Sequence, residues 1–90
     1  MENRRRIRDL TYRGDRWIVS LIGEVKADGS WRGHLAFFVD APPAATRLDD
    51  PLLVEALEFD QLVAQVSALS VDELHQRLSR LADGTVGARA

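Results

Sequence analysis

The 90-residue chain contains no cysteine and one lysine, against eleven arginines. The absence of cysteine excludes disulfides and thiolate metal sites. No apolar run approaches the roughly 18 residues of a membrane-spanning helix. The arginine-rich start of the chain has no apolar stretch behind it, so we expect no signal peptide. We therefore expect a cytoplasmic protein with no membrane partner.

The sequence also lacks the motifs of catalysis and of cofactor binding. Its two histidines are isolated, and it has no phosphate-binding loop or dinucleotide-binding glycine motif. Asp72 and Glu73 lie close to His75, but the start of a helix already explains both carboxylates. We predict that the protein is not an enzyme and needs no cofactor or metal ion. A pocket around His75, or around Asp49 and Asp50, would favour the enzyme alternative.

A chain of this length has a small core. It buries only about 60–65% of its unfolded surface, and without disulfides the remaining way to gain stability is association. We predict a single α+β domain over residues 1–84 and a disordered tail over residues 85–90.

The most informative pattern runs from residue 17 to residue 39. Alternate residues of two strand-like segments are apolar or glycine, which predicts an antiparallel hairpin with one buried face. A three-residue loop over residues 27–29, with Gly29 in the left-handed conformation, keeps the apolar residues on that face. The resulting register pairs Val25 with Trp31, Gly23 with Gly33, Leu21 with Leu35, Val19 with Phe37 and Glu24 with Arg32.

Gly23 and Gly33 leave a bare spot in the middle of the buried face. Facing glycines often mark the close approach of another part of the chain. We predict that a helix or a flanking tryptophan fills this spot.

A further strand is predicted from Arg5 to Arg13, with a tight turn at Gly14-Asp15. This register pairs Leu10 with Val19 and sets Arg5 near Glu24. The three strands then form an antiparallel meander.

The second half of the chain contains a loop and two helices. Residues 40–50 form a loop by composition. The pattern of residues 51–59 fits either a helix that starts at Asp50-Pro51 or a fourth strand near 53–59. One helix is predicted from Asp60, and another from the capping box at residues 70–73 to a cap at Gly84. The predicted fold is α+β: a three-stranded antiparallel meander, with a possible fourth strand near 53–59, packed against two C-terminal helices.

The even-numbered face of the predicted sheet is unusually apolar. It carries large apolar residues among polar ones, whereas a solvent-facing sheet should be polar on its outer side. We interpret this patch as a surface for self-association or for a protein partner. The alternative is that the two helices cover one face each. The predicted interface residues are Ile7, Ile18, Ile22 and Phe38.

A cluster of arginines near the start of the chain suggests a second interpretation. Arginines bind phosphates, so this cluster is a candidate nucleic-acid contact. The order of elements resembles that of small antitoxin-type domains, which implies a nucleic-acid-binding regulator. Against this, the chain is slightly acidic, with a formal net charge of −2, and charged residues commonly protect an edge strand. The residues concerned are Arg4, Arg5, Arg6 and Arg8.

Overall fold

A computed structural model describes residues 2–41 and 44–87 of the chain. Within these ranges, five strands are followed by two helices. They are β1 (Glu2–Tyr12), β2 (Asp15–Val25), β3 (Trp31–Ala41), β4 (Ala44–Asp49), β5 (Val54–Ala56), α1 (Phe59–Ser67) and α2 (Val71–Gly87).

The strands form one antiparallel sheet in the order β1-β2-β3-β4. β5 also pairs with β3, along residues 31–33, while β4 pairs with residues 36–41. Because β2 occupies one side of β3, β4 and β5 lie one after the other along its other side. The predicted α+β fold is confirmed, and the possible strand near 53–59 is present as the short β5.

The register of the β2–β3 hairpin is confirmed at every predicted pair, from Val25 with Trp31 to Val19 with Phe37. The backbone N–H of Lys26 donates to the carbonyl of Ser30 at 2.7 Å, which closes the predicted three-residue loop. Gly29 has a φ of 89°, a backbone conformation that glycine adopts without steric cost.

The predicted register of β1 is wrong, for two local reasons. The turn lies at Arg13-Gly14, both with positive φ, one residue earlier than predicted, so Leu10 pairs with Trp17. A β-bulge between Arg6 and Arg8 then inserts one extra residue into β1. As a result, Arg5 lies opposite Leu21 and not near Glu24.

The segment predicted as a loop contains a strand. Residues 44–49 form β4, although Ala44 and Ala45 supply little of the alternating apolar pattern that marks a strand. The two prolines that favoured a loop, at positions 42 and 43, lie outside the described residues. No helix starts at Asp50-Pro51. Instead, the backbone N–H of Asp50 donates to the carbonyl of Leu35 at 2.9 Å.

Side chains cap the N-termini of both helices. α1 starts at Phe59, one residue before the predicted start, with Glu58 and Gln61 in a reciprocal capping box. Ahead of α2, the Ser70 hydroxyl accepts the backbone N–H of Glu73 at 3.1 Å. α2 continues through Gly84 to Gly87, and the last part of the predicted tail, residues 88–90, lies outside the described residues.

Both helices pack on the same face of the sheet, which settles the question that the pattern left open. The buried cluster that they share with the strands consists of Leu10, Trp17, Val19, Leu21, Leu35, Phe37, Val39, Leu62, Val66, Leu74 and Leu78.

A helix fills the bare spot, as predicted. The ring of Phe59, the first residue of α1, lies over Gly23, where an added Cβ would come within 2.7 Å of the ring atom Cε1. Trp31 packs beside this ring, with the two centroids 5.1 Å apart.

Candidate interaction site

The open face is the side of the sheet opposite the two helices, and the described part of the chain has no helix on it. At its centre, Ser20 pairs with Ala36. Ile18 and Phe38 form the neighbouring pair on one side, and Ile22 and His34 form the pair on the other. The open face therefore has an apolar centre whose middle pair consists of small residues.

The open face is concave along one diagonal of the sheet. Glu2 and Arg47 belong to the outer strands β1 and β4, and their register positions are six residues apart. In a flat sheet their Cα atoms would stand roughly 24 Å apart, from strand spacings of about 4.8 Å and a rise of about 3.3 Å per residue. In the structure, Arg47 Nη2 lies 4.0 Å from Glu2 Oε1, which is closer than two extended side chains could bring their ends across a flat sheet. The bulge in β1 explains part of this curl, because bulges bend a strand and increase its twist.

Much of the predicted patch is buried, although neither described helix covers it. Ile22 is 5% exposed, and Ser20 and Ala36 are also buried. Ile18 and Phe38 remain half-buried. Three of the four predicted interface residues therefore lie together on the open face.

The fourth predicted interface residue, Ile7, was wrongly placed on the open face. It lies at the bulge and packs against the core that the helices cover. The bulge is the physical reason, since it reverses which residues of β1 face which side.

The arginine cluster does not form one surface. Arg4 lies opposite Ile22 and Arg6 opposite Ser20, so both belong to the open face. Arg5 lies opposite Leu21 on the face that the helices cover, with its guanidinium 5.9 Å from the centre of the Phe59 ring. Arg8 lies opposite Val19 on that same side. The sequence placed four arginines in one site, and the structure divides them into two pairs.

Half of the predicted patch and half of the arginine cluster meet in one pocket. Its volume is about 410 Å³. The lining residues are Arg4, Arg6, Ile18, Ser20 and Phe38. We call this the arginine–phenylalanine pocket. No sequence pattern predicted this meeting, because it depends on the bulge and on the curl of the sheet.

The Phe38 ring contacts two guanidinium groups. Arg4 lies 4.9 Å and Arg47 lies 5.4 Å from the ring centre, both within the range of cation–π attraction. Arg6 forms a forked pair with Asp9, with oxygen distances of 2.7 and 2.6 Å. By contrast, Arg4 forms no ion pair with any carboxylate whose side chain the structure describes.

The charges of the open face are balanced. Arg32 pairs with Glu24 at 2.7 Å, and Arg47 pairs with Asp49 at 2.9 Å. The Nε2 atom of His34 lies 3.2 Å from the same Asp49 carboxylate. Among side chains that the structure describes, the strand register places five arginines and five carboxylates on this face. They are Arg4, Arg6, Arg16, Arg32, Arg47, Glu2, Asp9, Glu24, Asp49 and Glu55.

The most exposed leucines lie elsewhere, in the segment around β5. Leu57 is 76% exposed, Leu53 is 57% exposed and Leu52 is 47% exposed. This segment was predicted only as a possible strand or helix. Its three leucines beside Glu55 and Glu58 are the sequence signal that could have identified it as an exposed apolar and acidic surface.

The groups considered for catalysis lie in separate pockets, because Asp50 lines one of about 220 Å³ with His34 and Arg77, and His75 lines another. Asp49 is exposed and binds Arg47, whereas the neighbouring Asp50 is buried, 3.2 Å from the Nη1 atom of Arg77 on α2. A shallow pocket of about 560 Å³ beside His75 contains no carboxylate. Within residues 2–41 and 44–87, no three His, Asp or Glu side chains come together as metal ligands would.

Among the described side chains, one carboxyl group has a clearly perturbed pKa, and it lies in the β2–β3 loop. The Ser30 hydroxyl donates to Asp28 Oδ1 at 2.6 Å, and the Ser30 backbone N–H donates to the same oxygen at 3.0 Å. These bonds stabilise the carboxylate and lower the pKa of Asp28 below its ordinary value. The group is fully exposed, and its two bonds account for the conformation of the loop.

Comparison with protein-family models found no matching family, and comparisons with curated proteins and with solved structures found no significant match. Neither helix in the described ranges has the length and apolar character that crossing a membrane requires.

Proposed function

We propose that this protein is a small non-enzymatic interaction module that acts through the open face of its sheet and self-associates as a homodimer. The main support for this proposal is the arginine–phenylalanine pocket. It combines half-buried apolar side chains, Ile18 and Phe38, with two guanidinium groups on a face that neither helix covers.

The residue types of this pocket suit a protein partner. Aromatic residues and arginine are enriched at the centres of protein interfaces, where apolar contact and directed hydrogen bonds act together. Arg4 supplies donors that no described carboxylate occupies, and Phe38 supplies an apolar ring. A partner surface that offers both apolar contact and carboxylate groups would satisfy both.

The balance of charge supports a second copy of this chain as the partner. A two-fold interface brings the same surface together from both subunits, so that surface must be complementary to itself. The five arginines and five carboxylates whose side chains the structure describes on this face meet that requirement. A small domain with no cysteine also gains stability from association.

The test is sedimentation velocity on the native chain and on the double variant Ile18→Glu, Phe38→Glu. We expect a concentration-dependent dimer for the native chain and a folded monomer for the variant. Val71→Glu is the matched control, because Val71 is 45% exposed at the start of α2, on the helix-covered side. A native chain that stays monomeric at all concentrations would refute the proposal, as would a double variant that dimerises like the control.

The nucleic-acid alternative receives less support from the geometry. Arg5 and Arg8 belong to the opposite face from Arg4 and Arg6. The arginines that remain on the open face are interleaved with carboxylates, which repel phosphate. A nucleic-acid surface is expected to be a basic patch or stripe, and the open face is balanced.

A further inference from the structure

The leucine-bearing segment around β5 has chemistry opposite to that of the arginine–phenylalanine pocket. It is apolar and acidic, whereas the pocket is apolar and basic. Leu53 is 57% exposed. Glu55 pairs in register with Arg32, which places it on the open face. Its carboxylate lies 3.3 Å from the Lys26 ammonium group and remains largely exposed.

The segment and the pocket both border the open face, at opposite edges of the sheet. Leu53 lines a pocket of about 200 Å³ together with Ile22 and His34, two residues of that face. Arg4 lies on β1, at the far edge. Within one chain, Glu55 and Arg4 are therefore separated by the width of β2 and β3.

We infer that Arg4, at the edge of the arginine–phenylalanine pocket of one subunit, binds Glu55 of a second copy. The inference rests on the proposed function and specifies the contact within it. The Glu55 carboxylate accepts hydrogen bonds from the Arg4 guanidinium, and Leu53, two residues before it, lies over the Arg4–Ile22 pair.

The two-fold arrangement makes this contact reciprocal. When two copies place their open faces together about an axis along the strands, the β5 edge of each subunit comes to lie over the β1 edge of the other. Each subunit then contributes one Arg4 and one Glu55, so the assembly closes at two chains.

Charge reversal at the two ends of the contact tests the inference. Arg4→Glu places two glutamates at each contact of its homodimer, and Glu55→Arg places two arginines there. Like charges that face each other weaken association, so we expect each variant to dimerise about tenfold more weakly or worse. In an equimolar mixture of the two variants, every contact in the mixed dimer again pairs opposite charges. We expect sedimentation equilibrium to show dimer formation restored to near the native level.

Matched controls separate this contact from a general effect of charge. Asp15→Arg and Arg80→Glu make the same two charge changes at exposed positions that enter no ion pair among the described side chains. We expect neither to change dimerisation by more than about twofold. Circular dichroism and thermal melting of all variants verify that each is folded.

The contact is supported if both charge reversals weaken dimer formation and the mixture of the two variants restores it. Two folded variants that dimerise normally, or weakened variants that fail to rescue each other, overturn it. If those failures accompany a native dimer that Ile18→Glu, Phe38→Glu dissociates, the proposed function stands and only this contact is wrong. A native chain that is monomeric overturns both.

Discussion

Replacement of Gly23 by alanine tests how α1 docks onto the sheet. The added Cβ would lie 2.7 Å from Phe59 Cε1 and 3.1 Å from Phe59 Cδ1, against a preferred carbon–carbon separation of about 3.5–4.0 Å. The ring cannot move freely, because Trp31 packs beside it at 5.1 Å and Arg5 lies 5.9 Å from its centre. Overpacking of this kind costs about 1–3 kcal/mol, whereas removal of a strand glycine stabilises by about 0.5–1 kcal/mol. The net expectation for Gly23→Ala is a loss of about 1–2 kcal/mol in the free energy of unfolding.

The assay is thermal unfolding followed by circular dichroism in the presence and absence of Phe59→Leu. For a domain of this size, a loss of 1 kcal/mol lowers Tm by about 4–8 °C. Because Phe59→Leu makes room for the new methyl group, Gly23→Ala should cost less in that background, with a coupling free energy of about 1 kcal/mol. Gly29→Ala is the control: its Cβ meets nothing within 4 Å, and its strain comes from a φ of 89°, so its cost should be independent of Phe59. A Gly23→Ala variant as stable as the native chain, or one equally destabilised in both backgrounds, would show that the Phe59 ring does not limit this site.

Three further predictions follow from other parts of the structure. Asp50→Ala should lower the free energy of unfolding, measured in urea, by about 2–3 kcal/mol. Asp50 is only 6% exposed, and its replacement removes one of the partners of the Arg77 guanidinium. A loss below about 0.5 kcal/mol would contradict this expectation. Ser30→Ala should raise the pKa of Asp28 toward its ordinary value, as followed by NMR titration. The native pKa of Asp28 is depressed, so its stabilisation of the fold is present above the unfolded-state pKa and is lost as the pH falls through the native pKa. Ser30→Ala should make this acid-induced loss of stability smaller. An unchanged titration of Asp28 would refute the assigned cause. Filter binding of DNA and RNA should show no retention that depends on salt, and retention that falls steeply with salt would favour the nucleic-acid alternative.

The β2–β3 hairpin was predictable because two independent features agreed on one register. The alternating apolar residues defined the buried face, and the pair of Glu24 with Arg32 fitted the other face in the same alignment. The β1 register lacked such agreement. Both Gly14-Asp15 and Arg13-Gly14 are compatible with a tight turn, and no residue type in β1 requires a bulge. β4 was missed because Ala44 and Ala45 supply little of the alternating apolar pattern of a strand, so the neighbouring prolines dominated the prediction.

The candidate site was only half predictable for the same reason. Ile18, Ile22 and Phe38 were assigned to the open face through the hairpin register, which was sound. Ile7 and the arginines were assigned through β1, whose register was not. Curvature is a property of the whole sheet, so the contact between Phe38 and the guanidinium groups of Arg4 and Arg47 has no counterpart in local sequence.

The bulge at Ile7 changes which residues of β1, the odd-numbered or the even-numbered, face the core. Before it, even-numbered residues such as Arg4 face the open side, and after it, even-numbered residues such as Leu10 face the core. If Ile7 instead paired regularly with Ser20, the bulge would be lost, Arg4 and Arg6 would turn inward, and Arg5 would turn outward. A one-residue shift of register in the first half of this strand would therefore exchange the arginines at the pocket without altering any of them. For this chain, the spacing along β1 is as much a part of the site as the residues that line it.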